Sequence, residues 1–340
     1  MCSIELNIKD LKVIKQMINN IESDMNFDKG SAYEVKIAII LAFYNGNEFI
    51  EEQITSILNQ SHKNFTLYIS DDCSSQKLSL KNLKLSHLDK EKIKISRRNK
   101  NVGYTLNFLN TLHSISDNYD YYAFSDQDDI WHKDKLKNAI NLMKKYPSET
   151  PSLYGCRTEL IGENQNIKLG KSKLHKKEPS FKNAIIQNIF SGNSMVINNP
   201  AKRIICKSIK QNKITSHDWW CYQIISGIEG NLIYDKRIFL KYRQHRKNLI
   251  GSNTSLKSKL IRLYQLIKGV FRNRNDQNLN SLMNNFDLLT LRNKNSLQNF
   301  IKARKSIFLV DIFYLKKSGV TRQTIFENLI LIVGIILKKI

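Results

Sequence analysis

Four times between residues 35 and 136 a strand-like run gives way to polar or acidic residues and then to a helix-like run. Val35 to Ala42 is nearly continuous in β-branched and apolar residues, the pattern of a strand buried on both faces. It ends at Phe43-Tyr44-Asn45-Gly46, and Phe49, Ile50, Ile54, Ile57 and Leu58 follow on one helical face. Phe65 to Ser70 is the second strand, ending in Asp71-Asp72-Cys73-Ser74-Ser75. Lys92 to Ser96 is the third, leading through Arg97-Arg98-Asn99 to Asn101-Val102-Gly103 and a helix that reaches Ile115. The fourth starts at Tyr121. Alternation of this kind predicts a parallel sheet with helices on both faces, a three-layer α/β fold. In such sheets ligands bind outside the carboxyl ends of the strands, where this chain keeps its acids.

The fourth strand end is the most acidic. Tyr-Tyr-Ala-Phe-Ser at 121 to 125 runs into Asp126, Asp128 and Asp129, and Leu136, Ile140 and Met143 then take up helical spacing. Carboxylates crowded at a strand end repel one another unless a cation lies among them, and hard oxygen ligands suit Mg²⁺ or Mn²⁺. The alternative is an acidic loop that caps the next helix.

Charge and cysteine usage narrow the partners. The chain carries 54 Lys and Arg against 30 Asp and Glu, a net +24, which points to an anionic partner. Residues 255–340 hold 16 of the basic and 4 of the acidic side chains, while residues 1–34 are slightly negative. No helix-turn-helix, zinc-finger or RNA-binding aromatic motif accompanies the charge, and nucleic acid is set aside. The five cysteines are scattered and lack a Cys-x-x-Cys pair, which fits a reducing compartment and neither zinc nor a disulfide framework. There is no basic-then-apolar leader pattern, and the most apolar window, Leu329 to Leu337, is too short to cross a bilayer.

Four pieces in this order carry a resemblance: Ala-Phe-Tyr-Asn at 42 to 45, Ser-Asp-Asp-Cys-Ser at 70 to 74, Asn-x-Gly at 101 to 103 and Ser-Asp-Gln-Asp-Asp-Ile-Trp at 125 to 131. From Val35 to Gly251 the chain resembles a family 2 glycosyltransferase. Tyr-Arg-Gln-His-Arg-Lys-Asn-Leu-Ile-Gly at 242 to 251 is similar to the close of its rhamnosyltransferase-like branch. The resemblance implies a GT-A fold, a Rossmann-like α/β/α mixed sheet. It implies nucleotide and donor contacts at Tyr44, Asp71, Asp72, Asn101, Gly103, Asp126, Asp129, Gly192 and Arg243. It implies a metal held by Asp126, Asp128 and His245, either Mg²⁺ or Mn²⁺. Asp218, in Ser216-His217-Asp218-Trp219-Trp220, takes the place of the catalytic base. Helix capping remains the other reading of Asp71, Asp72 and Asp218, and a plain turn that of Gly192. Trp219 and Trp220 read as core.

The expected organisation is an N-terminal amphipathic helix (1–34), a catalytic domain (35–251) and a basic helical C-terminal region (252–340). Leu153 to Ile161 reads as a strand, Gly162 to Pro179 as a mobile lysine-rich loop, and Phe181 to Phe190 as a helix. Leu256, Leu260, Leu263, Ile267 and Val270 form one helical seam, and Ile325 to Ile340 reads as an interfacial anchor or an oligomer contact. The expected activity is inverting transfer of a sugar, L-rhamnose foremost, from a nucleoside diphosphate to a hydroxyl on a glycan or lipid-linked saccharide of the cell surface. The expected location is cytoplasmic, at the inner face of the membrane. The rivals are a UDP-hexose or UDP-N-acetylhexosamine enzyme and, in another class, a non-catalytic sugar-nucleotide-binding or scaffolding protein. Asp72, Asp128 and Asp218 together argue against the last.

Overall fold

The computed structural model describes residues 34–209, 212–245 and 269–340. The chain divides into two compact units, Met1–Val35 and Lys36–Ile340, and the second holds all that follows. The helix expected at residues 4–21, the seam from Leu256 to Ile267 and the motif residues from Arg246 to Gly251 lie outside the described residues.

Strand β1 (Ile37–Phe43) is followed by helix α1 (Ile50–Leu58), β2 (Phe65–Asp71), a short α2 (His87–Glu91), β3 (Ile93–Arg97), α3 (Tyr104–Ser114) and β4 (Tyr121–Ser125). These four strands pair in parallel in the order 3-2-1-4. Strand β1 is central because it can be: Ile37, Ala38, Ile39, Ile40, Leu41 and Phe43 are all fully buried, on both faces. The order reverses at β1, so the crevice opens between the carboxyl ends of β1 and β4.

The second half turns the sheet mixed. It contains β5 (Ile130–Trp131), α4 (Lys135–Met143), β6 (Ser152–Ile161), β7 (Lys168–Lys171), α5 (Phe181–Ala184), β8 (Val196–Asn198), α6 (Asn199–Ser208), α7 (His217–Gly227) and β9 (Asn231–Arg243). Strand β8 pairs antiparallel to both β4 and β6, and β6 continues in parallel to β9, which carries β5 at its edge. Two expectations change. The lysine-rich segment is part strand, since β7 pairs with β6. The helix at 181 stops at Ala184, after which the chain coils with apolar residues still buried: Ile185, Ile186, Ile189 and Phe190 fill core rather than continue a helical face.

Four helices close the chain: α8 (Val270–Asn284), α9 (Leu291–Lys305), α10 (Val310–Ser318) and α11 (Ile325–Ile336). Leu282, Leu297 and Phe300 are fully buried in the same cluster as Ile185, Tyr222 and Ile225 of the sheet's helical layer. Asn293 donates to the carbonyls of Ser226 and Gly227, and Asn275 to that of Ile185.

Candidate active site

The end of β1 is shaped by a residue from the end of β4. Gln127 accepts from the Tyr44 N–H at 2.7 Å and donates to the Tyr44 carbonyl at 3.2 Å. Its amide lies so close to Gly46 that a Cβ there would stand 2.2 Å from Gln127 Cδ. Asn45 takes a left-handed φ of 49°, which Asn tolerates. Its N–H reaches Ser74 Oγ, and its side chain accepts from the Ser75 N–H. Tyr44 is left half exposed, with a ring face open for stacking.

The Asp pair that ends β2 is buried and engaged. Asp71 accepts from the Ser74 N–H at 2.8 Å and from Arg97 at 3.0 Å. Asp72 accepts from the Val102 N–H at 2.9 Å and the Gly103 N–H at 2.8 Å, while Asn101 donates to its carbonyl. Gly103 caps α3 with a φ of 83°, a conformation that disfavours a side chain. Asp72 thus gives both oxygens to loop amides, and Asp71 divides its own between a loop amide and the Arg97 guanidinium. They hold the β2 and β3 ends together as a platform beside Tyr44.

The end of β4 holds most of the negative charge. Asp129 is fully buried and accepts from Asn193 Nδ2 at 2.6 Å and the Arg243 N–H at 3.1 Å. Burial, with Asp128 and Asp126 nearby, holds its carboxyl well above the usual range. It ties the turn before β8 to the end of β9. Asp128 meets His245 Nε2 at 2.8 Å. Asp126 is pushed up to about 7 by burial and by the charges of Asp128 and Asp218, with Lys135 opposing. Arg243 is also turned inward. Its guanidinium donates to the carbonyls of Asp128 and Glu163, pairs with Glu52 and lies 4.5 Å from the Phe49 ring centroid. The side chain expected to contact the donor is therefore engaged with protein acceptors here.

At the start of α7, Asp218 Oδ1 accepts from Ser216 Oγ at 2.6 Å and the Trp219 N–H at 2.7 Å. Its Oδ2 has no hydrogen-bond partner among the described residues. Gly192 lies against this point: a Cβ there would stand 2.4 Å from His217 Nε2 and 3.4 Å from Asp218 Cβ. His217 is buried and stacked on Phe108 at 4.1 Å, with no partner for either ring nitrogen among the described residues. Burial lowers it to about 4, so it is neutral near pH 7. Trp219 and Trp220 are core, donating to the Ala184 carbonyl and Ser208 Oγ. The arrangement therefore links Asp128 to His245, brings Asp126 within electrostatic reach of Asp128 and Asp218, and sets Gly192 against Asp218, while Gln127, between Asp126 and Asp128, joins this group to Tyr44. An open cleft of about 660 Å³ is lined by Glu163, Asn164, Ile167, Gln244 and His245.

The residues can be tested for their fit to the divalent cation that the sequence leads one to expect. Among the described residues no three carboxylate, imidazole or thiolate groups are gathered closely enough to share an ion. The donor chemistry nevertheless fits two at a time: the Asp128 carboxylate and His245 imidazole are already in contact, and the repulsion that raises Asp126 would be relieved by a cation beside them. Sequence reasoning missed Gln127 and Lys135. Gln127 sits inside the acidic motif, which is its only signal. Lys135 is fully buried, with Nζ 3.2 Å from the Trp131 ring centroid. Its position on the buried stripe of Ala139 and Met143 could have revealed it.

The model of the family described as glycosyl transferase family 2 matches residues 38–205. The dTDP-rhamnosyl transferase RfbG of Shigella flexneri is 32% identical over 244 residues, which span 69% of this chain and 80% of that protein. The chain belongs to glycosyl transferase family 2. A second relative of this glycosyltransferase, the teichuronic acid biosynthesis glycosyltransferase TuaG of Bacillus subtilis, named there as putative, is 31% identical over 107 residues, 32% of this chain and 41% of the relative. Among solved structures, a mannosyltransferase of Pyrobaculum calidifontis in complex with GDP-mannose and Mn²⁺ aligns over 95% of this chain and 92% of its own, at 13% identity and a TM-score of 0.48. The mixed sheet with its parallel 3-2-1-4 half is the GT-A arrangement expected of the family.

Proposed function

We propose that this glycosyltransferase moves L-rhamnose from a dTDP donor to a hydroxyl of a cell-surface glycan, with inversion at the anomeric carbon. The likeness to RfbG over 80% of that protein supports the donor. The observation that carries the mechanism is Asp218: one carboxylate oxygen is fixed by Ser216 and Trp219, and the other is open beside Gly192 and within electrostatic reach of Asp126. A carboxylate so held can take the proton of an acceptor hydroxyl as that oxygen attacks from the face opposite the diphosphate. A single displacement inverts the centre. Tyr44 offers the base a stacking face, and the platform made by Asp72, Asn101 and Gly103 positions it. Asp128 and His245, with Asp126 beside them, would hold a divalent cation, Mg²⁺ or Mn²⁺, whose charge would offset that of the departing diphosphate. The acceptor is proposed to be lipid-linked, which would bring the enzyme to the inner membrane face.

The test is a thermal-shift panel of dTDP, UDP, GDP and CDP, each with Mn²⁺ or EDTA, on the wild type and Asp128→Ala. A nucleotide at about 100 times its dissociation constant stabilises by roughly 2.7 kcal/mol. A metal-dependent shift with dTDP, lost in the variant, is expected. A shift with UDP instead replaces the donor; none at all removes the donor-binding reading.

A further inference from the structure

The two C-terminal helices leave apolar surface uncovered. Between α9 and α10 the chain turns through Ile307, Phe308 and Leu309, exposed at 77%, 63% and 66%, with Val310 and Phe313 beyond them also exposed. Leu309 has a φ of 73°, an outlier for a leucine, so the turn holds its apolar tip outward at a conformational cost. On α11, Phe326, Leu329, Val333 and Leu337 follow at steps of three and four, forming one exposed stripe, while Leu331 and Ile335 on the other side are buried. The C-terminal end of the stripe lies near the turn. Lys338, next after Leu337, bonds the Ser306 carbonyl and Asp311 Oδ2, bringing the end of α11 to the turn.

The charge around this surface has one sign. From residue 302 to the end the chain holds eight Lys and Arg and two acids. Both acids are paired within the protein, Asp311 with Lys338 and Glu327 with Lys173. Lys302, Lys305, Lys316, Lys317 and Lys339 are exposed. We infer that this face docks on an anionic lipid surface, with the 307–309 turn and the α11 stripe in the interface and the lysines over the headgroups. A second copy fits less well, because two such faces would oppose like charges. Helix α11 has 12 residues, about 18 Å, well short of the roughly 30 Å hydrocarbon core, so it lies in the membrane plane. Among the described residues no helix is long and apolar enough to cross. The inference deepens the proposed membrane-side acceptor but rests on residues away from the active site.

The experiment is co-sedimentation of the full chain with vesicles of phosphatidylcholine alone or with about 30% phosphatidylglycerol. It compares the wild type with Phe308→Glu/Phe326→Glu and with Lys302, Lys305, Lys316 and Lys317 all changed to Gln. All carry the nucleotide thermal-shift assay in parallel. The wild type should bind anionic vesicles at least about tenfold more strongly than neutral ones, and each variant should lose about tenfold while keeping its melting temperature and nucleotide shift. Both variants binding like the wild type overturns the inference. So does a wild type that ignores anionic vesicles, or light scattering that shows a dimer broken by the Phe308 variant. Vesicle binding without any nucleotide shift would leave the docking face standing and remove the donor reading instead.

Discussion

Asp218 and His217 are neighbours in sequence with opposite fates. Asp218 keeps one oxygen open at the head of α7, whereas His217 points into the core, stacked on Phe108 without a hydrogen-bond partner among the described residues. Asp218→Asn preserves the shape and can still accept from the Trp219 N–H, but it cannot take a proton. Transfer should fall about 10²–10⁴-fold while the nucleotide-induced melting shift stays within error; unchanged transfer would place the base elsewhere. For His217 the consequence is pH dependence. The unfolded chain takes up this proton near 6.5, the folded protein only near 4. Stability is therefore whole above about 6.5 and is lost as pH falls toward 4, by up to about 3 kcal/mol from this residue. His217→Leu should flatten that part of the curve in urea melts between pH 7 and 4.5. An unchanged slope would mean that the ring is protonated in the fold.

At the level of elements, β1 to β4 are legible because hydrophobic period, β-branching and polar ends agree there; each strand lies within two residues of its expected span. The parts that misread are those where long-range contacts decide. Nothing local says that Lys168–Lys171 will find β6, or that the apolar run after Ala184 will coil into the core. The candidate site divides the same way. Its acids could be found by position in the chain, but which oxygens stay open could not. Asp72 and Asp129 are tied to amides supplied by residues 30 and 64 or more positions away. The turn from α7 into β9 shows how tightly one such junction is built. Glu229 adopts a φ of 59°, Gly230 N–H returns to the Ile225 carbonyl, and a Cβ on Gly230 would stand 2.5 Å from the Pro151 carbonyl oxygen. The nearest neighbour is backbone and cannot swing aside as a side chain could. Gly230→Ala should cost about 1–3 kcal/mol in denaturant melts, with nucleotide binding retained below the transition. A neutral result would show that β6 and β9 can shift apart.

For the whole molecule the question is whether the catalytic sheet can stand without the helices that follow it. Read from sequence, a catalytic domain ends near 251 and a basic helical region follows. Helices α8 and α9 insert Leu279, Leu282, Leu297, Phe300 and Ala303 into the cluster that contains Ile185, Tyr222 and Ile225, and Leu289 lies against Gly227. Asn293 satisfies the two carbonyls at the end of α7, the helix whose other end carries Asp218. Removing them exposes several large apolar side chains at about 1.5–3 kcal/mol each, comparable to the 5–15 kcal/mol that typically separates a domain from its unfolded state. It also leaves buried carbonyls unpaired at a cost of about 1–3 kcal/mol apiece. A chain ending at residue 268 should therefore aggregate or melt without a cooperative transition, and should lose the nucleotide-induced shift along with its fold. A chain ending at residue 324 removes α11 with its exposed stripe but also the buried Leu331, Ile335 and Ile340, so it should melt at a lower temperature while keeping a cooperative transition and the nucleotide-induced shift. If the shorter chain instead melts cooperatively and binds nucleotide, the sheet is self-sufficient and the C-terminal helices are an appendage.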